Sequence, residues 1–308
     1  MGFILLMSLL PMALVAWAVD ASNDDDETSE PETPGEEIVA NQGTLTTGTA
    51  GDDTITGEVG RGAVTGLGGD DEIRLGATDD GNANSVADEA LSDLIASFSV
   101  DEAGDVMEAL RDLSVFGADG GAGDDYIDAG HGADTVTGGA GDDTLRGNLG
   151  DDLLVDAYGA DSLSGGYGDD LLVAVDAQAQ AGADVLDGGA NDDLLWGDAG
   201  DTMTGGTGDD TFMVPWTSGD APVTITDFAP GYLSGTDEPA ENVLIALDSW
   251  SDTQSFTVVP TETGMAVKID GEVVAQLTGV VFSDWTGQDV FALDMSTGAV
   301  LSPIYVNV

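Results

Sequence analysis

The segment Gly120 to Val173 reads GGAGDDYID AGHGADTVT GGAGDDTLR GNLGDDLLV DAYGADSLS GGYGDDLLV, which is six nine-residue units without a gap. Each unit has glycine at its fourth position, aspartate at its sixth and an aliphatic residue at its eighth. Because three positions recur in register in every unit, the segment is a true repeat. A chain with this period forms a stack of short, similar turns, and this decides the fold class.

The spacing of these residue types has a physical reason. Glycine lets the chain turn with a positive φ, and the aspartate two residues later supplies charged oxygen. The last three residues of each unit form a strand too short to be stable alone, whose middle residue points into a narrow core. These inward residues are Ile127, Val136, Leu145, Leu154, Leu163 and Leu172. Stacked turns place equivalent aspartates about 4.8 Å apart, where their carboxylates repel unless cations lie between them.

The units resemble the G-G-x-G-x-D-x-U-x repeat of the RTX family, also called hemolysin-type calcium-binding repeats. Further matching units are GTAGDDTIT (Gly48 to Thr56), GLGGDDEIR (Gly66 to Arg74), AQAGADVLD (Ala179 to Asp187), GGANDDLLW (Gly188 to Trp196) and GGTGDDTFM (Gly205 to Met213). The resemblance implies an all-β fold, a right-handed parallel β-roll over residues 48–213, with several calcium ions held in the turns by the sixth-position aspartates and backbone carbonyls. The side-chain ligands that it implies are Asp53, Asp71, Asp125, Asp134, Asp143, Asp152, Asp161, Asp170, Asp184, Asp193 and Asp210.

The repeat pattern is broken at a few places. Gly62 occupies the ligand position of a degenerate unit, and Asn191 replaces a fourth-position glycine. Five extra residues, Ala174 to Gln178, interrupt the stack, and the unit Gly197 to Thr204 is one residue short. We expect the weakest calcium sites next to these interruptions.

The charge balance supports calcium as a partner. Sixty acidic residues stand against five basic ones and one histidine, a formal net charge of -55. The metal-free chain therefore repels itself, and calcium is expected to be a folding partner. The same charge excludes nucleic acid as a partner. Because extracellular calcium modules bind at about 10⁻⁴ to 10⁻³ M, the protein is expected to fold outside the cell.

Two segments precede the repeats. Residues 1–19 contain the uncharged apolar run Phe3 to Val19, which is predicted to be a signal peptide or an uncleaved membrane anchor. Either places the following residues outside the cytoplasm. Residues 20–47 carry nine acidic residues and two prolines, a composition that predicts a disordered acidic linker.

An insertion with a different period, residues 75–119, separates the two blocks of repeats. Apolar residues at helical spacing predict two short helices, the first opened by a capping box at Ser85 and Asp88. An EF-hand loop starting at Asp80 is excluded, since Ser85 and Leu91 stand where glycine and the bidentate glutamate are needed.

The glycine-aspartate period stops after Met213. Alternating apolar runs between Val223 and Leu293 predict a β-rich C-terminal domain, residues 214–308. ITDFAPG, Ile225 to Gly231, resembles a segment that often follows RTX repeats. We expect this domain to cap the open sheet edge at the end of the roll.

No constellation typical of an enzyme is present. His131 is the one histidine and stands at a variable turn position, and the chain has no cysteine, so neither a zinc site nor a thiol nucleophile is available. We therefore expect a non-enzymatic calcium-binding protein, secreted or tethered, with a structural, adhesive or secretion-related role. The alternative is a calcium-stabilised scaffold for a ligand-binding or enzymatic C-terminal domain.

Outward positions on one face of the roll are unexpectedly apolar. In a roll with two strands per coil, every second unit lies on the same face. On one of these faces the outward residues are Leu153, Val155, Leu171, Val173, Leu194 and Trp196. Such a patch usually marks a covered or binding surface. We expect the insertion or the C-terminal domain to cover it, with a second copy, a membrane or another surface partner as the alternative.

Overall fold

The computed structural model describes residues 35–40, 45–57, 63–75, 118–175, 182–229, 241–247, 254–280, 289–294, 299–301 and 304–305. Within these ranges the chain forms strands and turns, arranged in two sheets of mostly parallel strands. This confirms the predicted all-β class and the parallel β-roll.

Successive strands alternate between the two sheets. The first sheet contains, in spatial order, β1 (Glu37–Ala40), β3 (Thr54–Gly57), β5 (Glu72–Leu75), β7 (Tyr126–His131), β9 (Thr144–Leu149), β11 (Ser162–Tyr167), β13 (Val185–Ala190), β15 (Thr202–Thr207), β17 (Val223–Ile225), β21 (Glu272–Thr278), β20 (Gly264–Ile269), β19 (Phe256–Pro260) and β24 (Ile304–Tyr305). The second contains β2 (Leu45–Thr47), β4 (Ala63–Thr65), β6 (Ala118–Ala122), β8 (Thr135–Ala140), β10 (Leu153–Asp156), β12 (Leu171–Ala174), β14 (Leu194–Gly197), β16 (Thr211–Trp216), β18 (Asn242–Leu247), β22 (Val290–Asp294) and β23 (Ala299–Leu301).

The eighth residue of each unit forms the core between the sheets. In the first sheet Ile127 pairs with Leu145, and Leu145 pairs with Leu163. In the second, Val136, Leu154 and Leu172 are aligned in the same way. All six predicted inward residues are at most 1% exposed. Each coil therefore adds one aliphatic residue from each sheet to a continuous narrow core.

The roll begins earlier than the repeats do. Strands β1 and β2 lie in the segment expected to be a disordered linker, and they pair in parallel with β3 and β4. Ile38 packs against the core and Ala40 is buried. Because alternating apolar residues allow this stretch to pair, the predicted linker boundary at Thr47 was wrong, and the paired strands begin at Glu37.

The insertion leaves the stacking unbroken. β5 ends at Leu75 and pairs with β7, while β6 begins at Ala118 and pairs with β4 and β8. The two helices predicted in residues 75–119 fall on residues 76–117, outside the described ranges. The roll continues in register across them.

The C-terminal region extends both sheets. β17 and β21 continue the first sheet in parallel, and β18 and β22 continue the second. Antiparallel pairing then appears between β21, β20 and β19, and between β22 and β23. Every apolar run predicted as a strand in residues 214–308 forms one, and the first of them serve as further coils of the roll.

The predicted apolar face is covered. Leu153, Leu171 and Leu194 pair in register along the second sheet on its outward side and are at most 2% exposed, whereas Trp196 is half-buried. Their burial confirms that the face is not bare. The identity of the covering segment stays a prediction, because the insertion lies outside the described residues.

Candidate metal centre

The predicted ligands form two columns, one along each edge where turns enter a sheet. Each sixth-position aspartate directly precedes a strand, so the parallel pairing of the strands stacks the aspartates as well. One column contains Asp53, Asp71, Asp125, Asp143, Asp161 and Asp184, and the other contains Asp134, Asp152, Asp170, Asp193 and Asp210. Apart from the half-buried Asp134, all are at most 2% exposed.

One oxygen of each carboxylate orders the backbone of the neighbouring coil. The N–H of Asp143 donates to Oδ1 of Asp161 at 2.8 Å, and in the other column the N–H of Asp152 donates to Oδ1 of Asp170 at 2.8 Å. The same bond recurs along both columns with donor–acceptor distances of 2.6 to 2.9 Å. These charge-assisted hydrogen bonds fix the direction of the carboxylates that accept them.

The second oxygen of most of these carboxylates is buried without a hydrogen-bond partner. This holds for Oδ2 of Asp71, Asp125, Asp143, Asp152, Asp161, Asp170, Asp193 and Asp210. A buried carboxylate oxygen without a partner is strongly unfavourable, and proteins normally provide it with a donor or a metal ion. Rows of hard anionic oxygens at one edge fit a hard divalent cation such as calcium.

The first-position glycines leave the room that these oxygens need. A Cβ on Gly147 would overlap Oδ2 of Asp152, and a Cβ on Gly165 would overlap Oδ2 of Asp170. The carbonyl oxygen of the next first-position glycine lies beside the same point. Glycine is therefore required at these positions because any side chain would fill the place of the orphaned oxygen.

Burial raises the pKa values of the column carboxyls. The pKa of Asp125 is raised to about 8, that of Asp170 to about 8 and that of Asp193 to about 9, in each case chiefly by burial. Backbone N–H donors lower these pKa values, and neighbouring aspartates raise them. At neutral pH the metal-free roll must therefore take up protons or hold uncompensated charge, and a divalent cation removes this conflict.

Fifth-position aspartates form a second, more exposed row of hydrogen bonds. The N–H of Asp142 donates to Oδ1 of Asp124 at 2.8 Å, and the N–H of Asp169 donates to Oδ1 of Asp151 at 2.9 Å. These bonds run in the opposite direction along the stack from those of the buried columns. The Asp-Asp dipeptides of the sequence thus divide into an inner and an outer carboxylate.

The interruptions change the columns little where the structure describes them. The N–H of Asp161 donates to Oδ1 of Asp184 at 2.8 Å, and that of Asp170 donates to Oδ1 of Asp193 at 2.8 Å, across the five extra residues. Asn191 adopts a φ of 88°, which replaces the fourth-position glycine in its left-handed conformation. The position of Gly62 lies outside the described residues.

Asp201 belongs to the first column and was missed by the sequence analysis. It is fully buried, its Oδ1 accepts the N–H of Asp184 at 2.9 Å, and its Oδ2 accepts the N–H of Asp198 at 2.6 Å. The short unit Gly197 to Thr204 lacks the residue between its second glycine and this aspartate. Counting backward from the strand triplet Thr202 to Thr204 places Asp201 at the ligand position.

Asp53, at the N-terminal end of the first column, differs from the interior aspartates. Its Oδ2 accepts the N–H of Thr49, and its Oδ1 accepts the N–H of Glu36 at 2.5 Å and the hydroxyl of Thr49 at 3.1 Å. Both oxygens are thus hydrogen-bonded within the protein. Asp53 gains less from a cation than an interior aspartate does.

Comparison with known families agrees with this geometry. The family model described as RTX calcium-binding nonapeptide repeat (4 copies) matches residues 118–145, 146–174 and 177–201. A search of curated proteins gave no match. The matched ranges contain the central part of both aspartate columns, and RTX repeats bind calcium through a β-roll. Residues 118–201 of this chain are therefore RTX calcium-binding nonapeptide repeats.

Proposed function

We propose that this chain is an extracellular, non-enzymatic protein whose roll folds as calcium ions fill the two aspartate columns. The observation that carries the proposal is the row of buried Oδ2 atoms without a hydrogen-bond partner. Each ion that binds the folded roll and not the unfolded chain stabilises it by about 1.4 kcal/mol at tenfold saturation. About four such sites together reach the lower end of the stability of a typical domain, which is about 5 to 15 kcal/mol.

We propose as ligands the eleven aspartates expected from the sequence, with Asp201 added. The buried Oδ2 atoms of the interior aspartates supply most of the side-chain oxygens, and carbonyls of the first-position glycines complete the shell. When bound, calcium supplies positive charge that lets neighbouring coils approach. The chain's own contribution is the row of Oδ1 bonds, which fixes the direction of the carboxylates in the folded roll.

The way in which the C-terminal strands extend both sheets supports a structural role. β17, β18, β21 and β22 add coils in parallel with the repeats, and antiparallel strands follow them. This arrangement lengthens the roll and ends it, as expected for a spacer or an adhesive element at a cell surface. The ligand-binding or enzymatic C-terminal domain stays the alternative.

The proposed extracellular location rests on the affinity that is typical of extracellular calcium modules and on the apolar N-terminal segment. Extracellular calcium modules bind at about 10⁻⁴ to 10⁻³ M, above the free calcium of the cytosol. Among the described residues no helix is long and apolar enough to cross a membrane, and the apolar run Phe3 to Val19 lies outside them. Residues 1–19 fused to a reporter should send it to the medium if they are a cleaved signal, or retain it on the membrane if they are an anchor. A reporter that stays in the cytoplasm contradicts the proposed location.

Circular dichroism and small-angle scattering test calcium-coupled folding. In chelator the chain should lack a β-spectrum and have a radius of gyration near that of an unfolded chain, about 60 Å. Millimolar calcium should give the β-spectrum and reduce the radius to less than about half of this value. Magnesium is the matched control, because it keeps its waters and demands octahedral geometry, so it should not replace calcium at the same concentration. An unchanged β-spectrum in chelator contradicts the proposal.

A further inference from the structure

Asp156 departs from the repeat pattern at the first position of its unit, which glycine or alanine occupies in the other five units of the Gly120 to Val173 block. It is the first residue of the unit DAYGADSLS, and it ends β10. Its side chain is buried, with 3% exposure. Oδ1 accepts the N–H of Ala157 at 2.8 Å, and Oδ2 is buried without a hydrogen-bond partner. The repeat does not explain why a carboxylate replaces glycine here.

The carboxylate of Asp156 enters the first aspartate column. One carboxylate oxygen from each of Asp143, Asp156 and Asp161 lies within 4.8 Å of the other two. Among the residues that the structure describes, this is the group of three acidic side chains that meets such a limit. Elsewhere in the columns each turn contributes one inner carboxylate. The turn between Asp143 and Asp161 therefore holds one negative charge more than its neighbours.

Gly138 provides the space for this extra charge. A Cβ at Gly138 would overlap Oδ2 of Asp156 and Oδ2 of Asp143. Gly138 and Asp156 are the first residues of units two apart, and their strands β8 and β10 pair in parallel, so the Asp156 side chain points along the stack toward the preceding coil. Oδ2 of Asp161 is also buried and without a partner. Carboxylate oxygens of Asp143, Asp156 and Asp161 thus lie close together, and those of Asp143 and Asp156 lie beside Gly138.

We propose that Asp143, Asp156 and Asp161 form a three-carboxylate cation site that calcium fills first and that favours trivalent over divalent cations. Calcium affinity in proteins rises with the number of charged ligands and the rigidity of the site. Asp143 and Asp161 are held by the Oδ1 bonds of the column, and Asp156 by its own bond to Ala157. The proposal rests on the proposed calcium-binding function and assigns the order in which the sites fill.

Competition with a chromophoric calcium chelator, at one calcium ion per chain, tests the order of filling. Asp156→Asn removes the charge and keeps the shape, and Asp156→Gly restores the repeat pattern if the amide prevents folding. Both variants should bind the first calcium about tenfold more weakly or worse, with an unchanged β-spectrum at saturating calcium. Glu262→Gln, which removes an exposed charge remote from the columns, should leave the first equivalent unaffected.

Asp152→Asn separates this proposal from the proposed function. It removes an ordinary ligand of the second column, and it should reduce later calcium uptake while leaving the first equivalent in place. If both Asp156 variants bind the first calcium within about twofold of the wild-type affinity, the three-carboxylate site is overturned. This holds even if Asp152→Asn reduces the later calcium uptake. A wild-type chain that retains no calcium overturns the proposed function and this inference together.

Terbium gives a second readout that a purely structural role of Asp156 would not change. Tyrosine-sensitised terbium emission should show one ion bound about tenfold more tightly than the rest in wild type, and no such class in Asp156→Asn. Terbium that titrates as a single class in the wild-type chain overturns the preference for trivalent cations.

Discussion

Replacing Asp193 by asparagine should change the calcium dependence of folding by a defined amount. Asp193 is 1% exposed, its Oδ1 accepts the N–H of Asp170 at 2.8 Å, and its Oδ2 is buried without a partner. Asparagine keeps the Oδ1 acceptor and the shape of the side chain. The substitution therefore removes one negative charge and leaves the row of backbone bonds in place.

The first effect of Asp193→Asn appears without calcium. Burial raises the pKa of Asp193 to about 9 from a normal value of 3.8. A carboxyl with a raised folded-state pKa binds a proton more tightly in the folded chain, so it destabilises the fold increasingly as pH rises from about 4 to about 9. At pH 7 the interval above the unfolded pKa is about 3 pH units, which gives an upper limit of about 4 kcal/mol. Asparagine removes this penalty, so the metal-free variant should be the more stable chain.

The second effect appears with calcium and has the opposite sign. The free energy of unfolding rises by about 1.4 kcal/mol per tenfold increase in calcium for each ion that is released on unfolding. Loss of one ion should lower the slope by this amount. Because Asp193 lies between Asp170 and Asp210 in the column, the slope should fall by about twice as much if two ions share its carboxylate.

Urea unfolding followed by circular dichroism, at calcium concentrations from about 1 to 10 mM, measures the second effect. Plotted against the logarithm of calcium concentration, the free energies of unfolding of wild type and variant should approach each other as calcium falls. Glu262→Gln, with its exposed side chain, should give a line parallel to that of wild type. Parallel lines for Asp193→Asn would refute the assignment of Asp193 as a calcium ligand.

Three further predictions follow from the same geometry. In chelator, acidification from pH 8 to pH 5 should increase the β-signal, because each aspartate with a raised folded-state pKa adds about 1.4 kcal/mol to the free energy of unfolding per pH unit. A loss of β-signal on acidification would contradict this. Gly165→Ala should weaken calcium binding, because its Cβ would overlap the orphaned oxygen of Asp170. The control Gly271→Ala, at φ 87° with open space around it, should destabilise the fold by about 1 kcal/mol and leave the calcium slope measured by urea unfolding unchanged. Asp152→Asn should reduce the calcium slope more than Asp53→Asn, because both oxygens of Asp53 are already hydrogen-bonded, and equal slopes would count against the interior sites as the stronger ones.

The nine-residue period of the sequence predicts most of the fold. A nine-residue repeat with one aliphatic and one acidic position forces both residue types into columns, so the core residues and the buried aspartates follow from counting. Leu154 and Asp152 are both fully buried, one by the hydrophobic effect and one because the turn carries it inward. A repeat of this kind constrains each unit through its neighbours, which makes the prediction robust in the interior of the stack.

Prediction failed where the period changes or gives no information. Asp201 was missed because a single deletion shifts its position relative to the glycines, although its strand triplet remains in register. β1 was assigned to a linker because acidic composition outweighed the short alternation around Ile38. Alternating apolar runs predicted β17 and β18, but alternation alone does not identify a partner strand, so their parallel pairing with the repeats required the structure.

The three-carboxylate group could not be predicted from the positions of residues within single repeat units. The unit pattern places Asp156 first in its turn, a position to which the sequence analysis assigned no ligand. Its inward direction depends on the distance between two coils and on the absence of a side chain at Gly138. Such a site arises from two units 18 residues apart, and neither unit shows it alone.

In the proposed function, folding and calcium binding use the two oxygens of the same carboxylate. Oδ1 accepts a backbone N–H from the neighbouring coil and orders it, whereas Oδ2 is left for a cation. An ion at Oδ2 neutralises the charge that opposes close stacking, so it strengthens the arrangement that Oδ1 maintains. Because every interior aspartate joins two coils, an ion bound in one turn stabilises the coils on both sides of it. The columns continue across residues 176–181 through Asp184 and Asp193, so this coupling is expected to extend along the whole roll, and calcium should fold it as one cooperative unit.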